Sequence, residues 1–202
     1  MTLSCDRGYS PGPRRENCGQ PAGTQTAVGI LSFFATKLIT SGGQGGALIA
    51  DNADMAEAVR DYREFDCRRD RKARFNLQMT DLQASVGRVQ LSRFPDFVRK
   101  RQRILSVYEE AGLPLLCNHE RNVESVPYRA IIRSENAARI LDHLRISGVK
   151  AIIPVEEWEL LSDGDAFPNA QAFSRQLVSL PIYPGLKLKD AREIARKVRN
   201  LL

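Results

Sequence analysis

A single lysine, Lys37, interrupts an apolar and glycine-rich stretch of the sequence. The apolar run at residues 27–34 predicts a buried strand, and a second strand is expected at residues 47–50, after a turn dense in glycine. Partial burial favours the neutral, nucleophilic amine of a lysine, and glycines allow a ligand to approach the backbone. The pattern is typical of a lysine that forms a Schiff base. A solvated lysine at a strand edge explains it as well, so both interpretations stay open at this point.

The composition describes an ordinary globular protein. The chain has 202 residues, 43% of them hydrophobic and 27% charged, which is enough for one large domain or two small ones. No apolar run reaches membrane-spanning length and the first residues lack a signal-peptide pattern, so no membrane partner is expected. The cysteines are too scattered for a zinc site or a disulfide framework, which favours the reducing cytoplasm. They are Cys5, Cys18, Cys67 and Cys117.

The net charge of +6 is concentrated in two clusters of arginine and lysine, at residues 68–74 and 99–103. Such clusters attract nucleic acids or anionic small molecules such as nucleotides. Interleaved aromatic residues are sparse and no recognition helix accompanies the clusters, so nucleic acid is not expected as a partner. A solvated loop at residues 66–74 and a solvated helix face at the second cluster are the plainer interpretations.

Capping and periodicity predict the elements that position these residues. In the first half, helices are expected from Asp51 or Asn52 to about Phe65, from Thr80 with a capping box to Gln83, and from Pro95 to about Ala111. In the second half, strands are expected at 126–132, 149–153 and 177–180, with helices from Ser134 to near Gly148, after Pro168, and from about Lys189. This alternation predicts a small α+β layer.

Three motifs follow one another along the chain. The first is Ser-Phe-x-x-x-Lys from Ser32 to Lys37, with Gly-Gln-Gly-Gly at 43–46. The second combines Asn76, Met79, Asp-Leu-Gln-Ala at 81–84, Gly87 and Gln-Leu at 90–91, and the third combines Phe-Pro-Asn-Ala at 167–170 with Leu-Pro-Ile-Tyr-Pro-Gly at 180–185. In this order the chain resembles the C-terminal portion of the DegT/DnrJ/EryC1/StrS family of pyridoxal-phosphate-dependent sugar aminotransferases, over roughly residues 27–202.

The resemblance implies an α/β fold, the C-terminal part of the PLP-dependent transferase fold of the aspartate aminotransferase superfamily (fold type I). Residues 1–93 would be a partial large cofactor-binding domain of α/β type. Residues 94–112 would form a connecting helix, and residues 113–202 a small C-terminal α+β domain. The phosphate-binding hydroxyls, the ring-stacking aromatic residue and most of the large sheet of the family belong to a first half that this sequence does not contain.

The resemblance also implies a role for four residues. Lys37 would bind pyridoxal 5'-phosphate as a Schiff base and then act as general acid and base. Ser32 would bind the cofactor phosphate, and Asn76 would reach the phosphate of the neighbouring subunit, which implies a homodimer. Asp6 would pair with the pyridine nitrogen. From the residues alone, Ser32 is a strand-end hydroxyl and Asn76 an Asx-turn residue.

Three departures from the family pattern stand out. Gln44 replaces a glutamate in the glycine turn, which removes a charge but is expected to keep the turn. Arg74 replaces the glycine before the Phe-Asn pair. Residues 153–158 contain no His where the family often has a His and aromatics, so a different acceptor pocket is expected.

The expected function is transfer of an amino group from an amino acid to a nucleotide-linked keto-sugar, for amino-sugar, polysaccharide or secondary-metabolite biosynthesis. The alternative is a non-catalytic remnant, or one half of a split enzyme that binds a complementing N-terminal half. In either case, half of a large domain is expected to expose apolar surface and to associate.

Overall fold

The computed structural model describes residues 27–116, 126–161 and 166–202. The described residues form two compact units, which divide within one helix between Pro95 and Asp96. The first unit holds the described residues up to Pro95 together with Val126, and the second unit holds the other described residues after Pro95.

A two-stranded antiparallel ribbon begins the first unit. Strand β1 (Gly29–Ser32) pairs with β2 (Gly46–Ile49), in a register that places Gly29 opposite Ile49 and Ser32 opposite Gly46. The expected strand at 27–34 is therefore shorter than predicted, and its expected burial is wrong for Ile30, which is exposed. The reason is that no third strand joins this ribbon among the described residues, so its faces are only partly covered.

Helix α1 (Ala53–Arg63) follows the ribbon and begins as predicted. The Asn52 side chain accepts hydrogen bonds from the backbone N–H groups of Asp54 and Met55, at 2.7 and 3.2 Å. These bonds satisfy N–H groups that have no partner within the helix. Asn52 is thus the cap, and α1 ends two residues before the predicted Phe65.

The long helix α2 (Asp81–Glu110) starts at the predicted capping box. Thr80 Oγ1 accepts from the Gln83 N–H at 3.3 Å, and Gln83 Oε1 accepts from the Thr80 N–H at 3.2 Å. The prediction that a new helix begins at Pro95 is wrong, because α2 continues through this residue. Proline lacks a backbone N–H donor, so one helical hydrogen bond is missing here, and the buried side chains of α2, Ile104, Val107 and Tyr108, all lie after it.

The second unit contains another antiparallel ribbon with helices around it. Strand β3 (Ala130–Arg133) pairs with β4 (Leu177–Leu180), and β4 has the predicted bounds. The expected strand at 149–153 is reduced to a single bridge between Ile152 and Ser179. The helices are α3 (Ala137–Ile146), α4 (Pro168–Gln176) and α5 (Leu188–Arg199), with a 3₁₀ turn at Glu157–Glu159.

The hydrophobic core of the second unit is formed by α2, α3, α5 and both strands. Tyr108 is fully buried there, and its hydroxyl donates to the Pro181 carbonyl at 2.7 Å. Burial raises the pKa of the Tyr108 hydroxyl, which stays protonated and acts as the donor. Helix α5 presents the predicted apolar face, made of Ala191, Ile194, Ala195 and Val198.

Candidate functional site

Lys37 lies in the loop between β1 and β2. Its side chain is half-buried and is followed in the chain by two buried residues, Leu38 and Ile39. Its backbone N–H donates to the Phe34 carbonyl at 2.9 Å. Within the described ranges, the Lys37 amine makes no hydrogen bond or ion pair. The chain therefore holds the backbone of Lys37 and leaves the amine available to a ligand.

The glycine turn that follows Lys37 is held by one buried hydroxyl. Ser41 is 1% exposed, and its Oγ donates to the Gln44 carbonyl at 2.7 Å. Gly42 has a φ of +84°, a left-handed conformation that a side chain would strain. Gln44 supports the turn through its backbone carbonyl, a group that glutamine and glutamate share.

Two of the turn glycines leave no room for a side chain. A Cβ on Gly45 would lie 2.3 Å from Ser41 Oγ, and a Cβ on Gly46 would lie 2.8 Å from the Leu31 carbonyl oxygen. The second motif packs here as well, because the same Cβ on Gly45 would lie 3.5 Å from Met79 Cε. A Cβ on Gly87, in α2, would lie 3.7 Å from Ser41 Cβ. The structure thus brings the first two sequence motifs together at the loop that carries Lys37.

Ser32 occupies the last position of β1, opposite Gly46. Its Oγ accepts from the Phe34 N–H at a distance of 3.4 Å. The described residues provide no acceptor for its hydroxyl hydrogen. The hydroxyl is therefore able to donate to an anionic oxygen.

Asn76 is exposed in the segment between α1 and α2. Its side chain makes no hydrogen bond in the described part of the chain, so the Asx-turn interpretation gains no support. The preceding residue is fixed, because the Phe75 N–H donates to the Tyr62 carbonyl at 3.0 Å and the two rings lie 5.1 Å apart. Asp6, the fourth candidate, lies outside the described residues.

Two of the five basic residues at 68–74, Arg68 and Arg74, pair with carboxylates. The Arg74 side chain is 4% exposed and forms ion pairs with Asp61 at 2.8 Å and Asp70 at 2.6 Å. Hydrogen bonds from Arg74 hold the pKa values of both carboxyl groups below their usual range, and the carboxylates raise the pKa of Arg74. Arg68 pairs with Glu64 at 3.3 Å. Arg74 is therefore not available to a diphosphate.

Sequence reasoning missed the pairing of Arg74 with both carboxylates. The four-residue spacing of Asp70 and Arg74 could have indicated one half of it, since such pairs often interact. Asp61 lies thirteen residues from Arg74 and only the folded loop brings them together.

In the second unit, residues 153–158 lead into the 3₁₀ turn at Glu157–Glu159. Trp158 is 81% exposed there. The turn is fixed by an ion pair between Glu157 and Arg175 of α4, at 2.5 Å. The turn therefore presents an exposed aromatic ring.

The described helices include none that is long and apolar enough to cross a membrane. In the same residues, His, Cys, Asp and Glu form no group of three or more that could hold a metal ion.

Comparison with known proteins places this site in context. A relative from Streptomyces venezuelae, dTDP-3-amino-3,4,6-trideoxy-alpha-D-glucose transaminase, is 26% identical over 198 residues, which cover 90% of this chain and 52% of the relative. GDP-perosamine synthase of Vibrio cholerae is 25% identical over 90% of this chain and 54% of its own length. The chain thus spans about half the length of the curated relatives it matches.

Solved structures of similar fold include aminotransferases as well. The aminotransferase TlmJ from Streptoalloteichus hindustanus superposes with a TM-score of 0.79 at 26% identity, over 90% of this chain and 54% of that one. DesV of S. venezuelae superposes with a TM-score of 0.78 at 24% identity, over 90% of this chain and 53% of DesV. The described residues therefore have the mixed α/β fold of PLP-dependent aminotransferases. A sequence profile of the DegT/DnrJ/EryC1/StrS aminotransferase family matches residues 14–199, and the chain belongs to that family.

Proposed function

We propose that this chain takes part in pyridoxal-phosphate-dependent transfer of an amino group from an amino acid to a nucleotide-linked keto-sugar. The observation that carries the proposal is the partnerless amine of Lys37, on a loop that two family motifs hold in place. Residues 1–93 would contribute the cofactor-binding part, residues 94–112 the connection and residues 113–202 the small domain.

The residues around Lys37 fit pyridoxal phosphate. A primary amine can hold the aldehyde carbon, and the Ser32 hydroxyl is able to donate to a phosphate oxygen. Gly45 and Gly46 keep side chains out of a turn that a Cβ would fill. Asn76 is exposed and unpaired, as a residue that reaches a second subunit needs to be. Asp6 remains the candidate partner of the pyridine nitrogen.

When bound, the cofactor supplies an electron sink for the carbon that carries the amino group. Lys37 Nζ would accept the proton from the α-carbon of the amino donor and release it to the cofactor within the same half of the reaction; in the opposite half it would deliver a proton to the acceptor carbon that receives the amino group. Backbone hydrogen bonds from the Lys37 N–H to the Phe34 carbonyl and from the Ser41 N–H to the Phe33 carbonyl would hold the backbone of Lys37 in place for this role.

The substrate class follows from the relatives, whose names refer to a dTDP-linked and a GDP-linked sugar product. We therefore propose a keto-sugar nucleotide as acceptor and an amino acid as donor, in a cytoplasmic homodimer or in a complex with a chain that supplies the other half of the site.

A second candidate is a non-catalytic, partner-binding chain. Large apolar side chains of the first unit are exposed, among them Leu77, Leu82 and Leu91. Such a surface favours association with a partner. An open reading frame directly upstream that encodes the first half of the family fold would favour this candidate in its split-enzyme form.

Lys37→Ala tests the proposal. The recombinant chain with pyridoxal phosphate is expected to develop the visible absorbance of a Schiff base, and Lys37→Ala is expected to abolish it. Lys150→Ala, an exposed lysine of the second unit, is the control and should leave the absorbance unchanged. Reduction with borohydride followed by peptide mass mapping identifies the modified lysine. Absence of absorbance in the unsubstituted chain would reject the catalytic role of this chain alone.

A further inference from the structure

The segment that carries Asn76 is fastened to α1 by an arginine clamp, formed by Arg74, Asp61 and Asp70. Arg74 Nε and Nη2 donate to Asp61 Oδ1 at 3.1 and 2.8 Å, and Nη2 also donates to Asp61 Oδ2 at 3.1 Å. Nη1 and Nη2 donate to the two carboxylate oxygens of Asp70 at 2.6 and 2.9 Å. One guanidinium therefore binds both carboxylates in a bidentate manner.

The two carboxylates belong to different parts of the first unit. Asp61 lies in α1, whereas Asp70 lies in the loop that follows, where its Oδ1 also accepts from the Lys72 N–H at 2.9 Å. The clamp thus ties the middle of the loop and its end to the helix. The Arg74 side chain is 4% exposed, whereas the side chains of Asp61 and Asp70 are 38% and 48% exposed, so water still reaches the carboxylates.

A second set of contacts continues directly from the clamp. The Phe75 N–H donates to the Tyr62 carbonyl, one residue after Asp61 in α1, and the rings of Phe75 and Tyr62 are in contact. Asn76 is the next residue. Because consecutive Cα atoms are about 3.8 Å apart, fixing Arg74 and Phe75 leaves the Cα of Asn76 little freedom.

We propose that Arg74 is a positioning residue that presents the Asn76 amide to the cofactor phosphate. This inference rests on the proposed function, since it takes the phosphate as the target of Asn76. Arg74 occupies a position where the family motif has glycine, so the clamp is a feature of this chain's own sequence. Arg74 does not touch the ligand; it acts through the backbone of residues 74–76.

Hydrogen exchange tests the structural half of the proposal. Arg74→Gln removes the positive charge and the guanidinium that binds both carboxylates, and is expected to accelerate hydrogen exchange of the Phe75 amide at least tenfold. Arg74→Lys keeps the charge but cannot bind both carboxylates in a bidentate manner, and is expected to act in the same direction. Arg69→Gln is the matched control, because Arg69 is an exposed arginine of the same loop. Unchanged exchange in Arg74→Gln would overturn the proposal.

Ligand titration tests the functional half, with pyridoxal 5'-phosphate and pyridoxal as probes and Schiff-base absorbance as the readout. Arg74→Gln and Asn76→Ala are each expected to weaken pyridoxal phosphate binding roughly tenfold, since each loses a hydrogen bond to a charged group. The double variant is expected to be no weaker than Asn76→Ala alone, because both changes remove the same contact. Binding of pyridoxal, which has no phosphate, is expected to be unchanged.

Three results would count against the positioning role. Additive effects in the double variant, or equal weakening of pyridoxal binding by Arg74→Gln, would overturn it. If Arg74→Gln unfolds, the Asp70→Asn variant is used in its place. Asp70→Asn keeps an acceptor for the Lys72 N–H but weakens the contact between Arg74 and residue 70. Unchanged binding of pyridoxal phosphate by Asp70→Asn would also overturn the positioning role. Failure of the unsubstituted chain to bind either probe would reject cofactor binding by this chain alone, and the positioning role with it.

Discussion

Ser41 and Gly45 define the turn beside Lys37, although neither has catalytic chemistry. The Ser41 hydroxyl is buried and bonded to the Gln44 carbonyl, and it occupies the volume that a side chain on Gly45 would need. A Cβ on Gly43, by contrast, would have no atom within 4 Å. Of these two glycines, only Gly45 is therefore required for lack of space.

Gly45→Ala is expected to destabilise this turn by about 1–3 kcal/mol, because the new Cβ overlaps a buried hydroxyl. Hydrogen exchange of the Phe33 and Ser41 amides, which bond within the loop, measures the effect. Gly43→Ala is the control and should change protection little. Equal effects of the two substitutions would contradict the packing argument.

The arginine clamp predicts a dependence of stability on pH. The pKa values of Asp61 and Asp70 are lowered, first of all by hydrogen bonds from Arg74. A carboxyl group with a lowered pKa in the folded state stabilises the fold above its unfolded pKa, and this stabilisation is lost as the pH falls through its folded pKa. The loop at residues 66–75 is therefore expected to loosen progressively below about pH 4.

The measurement is protection of the Phe75 amide as a function of pH, corrected for intrinsic exchange. Protection in the unsubstituted chain is expected to fall on acidification, whereas Arg74→Gln is expected to give a flatter profile because the shifts of both carboxyl groups depend on Arg74. Identical profiles for the two proteins would show that other carboxylates govern this loop.

At the scale of the element, α2 links the second motif to the core of the second unit. Its capping box at Thr80 fixes the first turn, and Met79 and Gly87 on either side of that turn pack against the glycine loop. Its last turns contribute Ile104, Val107 and Tyr108 to the buried core. One continuous helix therefore carries residues of both units, and Pro95 does not end it.

Thr80→Ala is expected to destabilise the start of α2 by about 1 kcal/mol, because the Gln83 N–H loses its acceptor. Ser85→Ala, on the exposed side of the same helix, is the control; alanine is the better helix former, so the change should be neutral or slightly stabilising. Urea unfolding followed by circular dichroism compares the variants. A loss in Ser85→Ala as large as in Thr80→Ala would argue against the capping role.

At the scale of the whole molecule, burial is uneven between the two units. The largest buried side chains, such as Tyr108, Ile132, Ile140 and Leu144, belong to the second unit. In the first unit the described side chains that are buried are few, and Leu82 is 77% exposed. The second unit is therefore expected to be the more stable of the two.

Ile140→Ala tests this core. Its side chain is fully buried in α3, and removing it is expected to cost about 2–5 kcal/mol through lost burial and a cavity. Ile146→Ala, on the exposed side of the same helix, should change the free energy of unfolding by less than about 0.5 kcal/mol. Urea unfolding monitored by circular dichroism distinguishes them, and similar losses would contradict the assignment of the core.

The sequence alone determined the family, the mixed α/β class and most helix starts. These depend on local chemistry: Asn52 and Thr80 cap whatever helix follows them, and β4 is bounded by a helix end and a proline. The three motifs, which occur in the family's order, predicted the family, and a family-profile match over residues 14–199 confirmed it. The role of Lys37 was predicted from the same motifs and remains a proposal.

Only the tertiary structure decided what depends on residues distant in the chain. Ile30 and its neighbours look buried by hydrophobicity, but a ribbon of two strands covers only part of them. Pro95 looks like a helix start, but one continuous helix runs through it from Asp81 to Glu110. Arg74 looks like a solvated cation, yet it is enclosed by Asp61 and Asp70. Lys37 stood out from the start because its chemistry is local, whereas the turn that holds it depends on Met79 and Gly87, more than thirty residues away in the sequence.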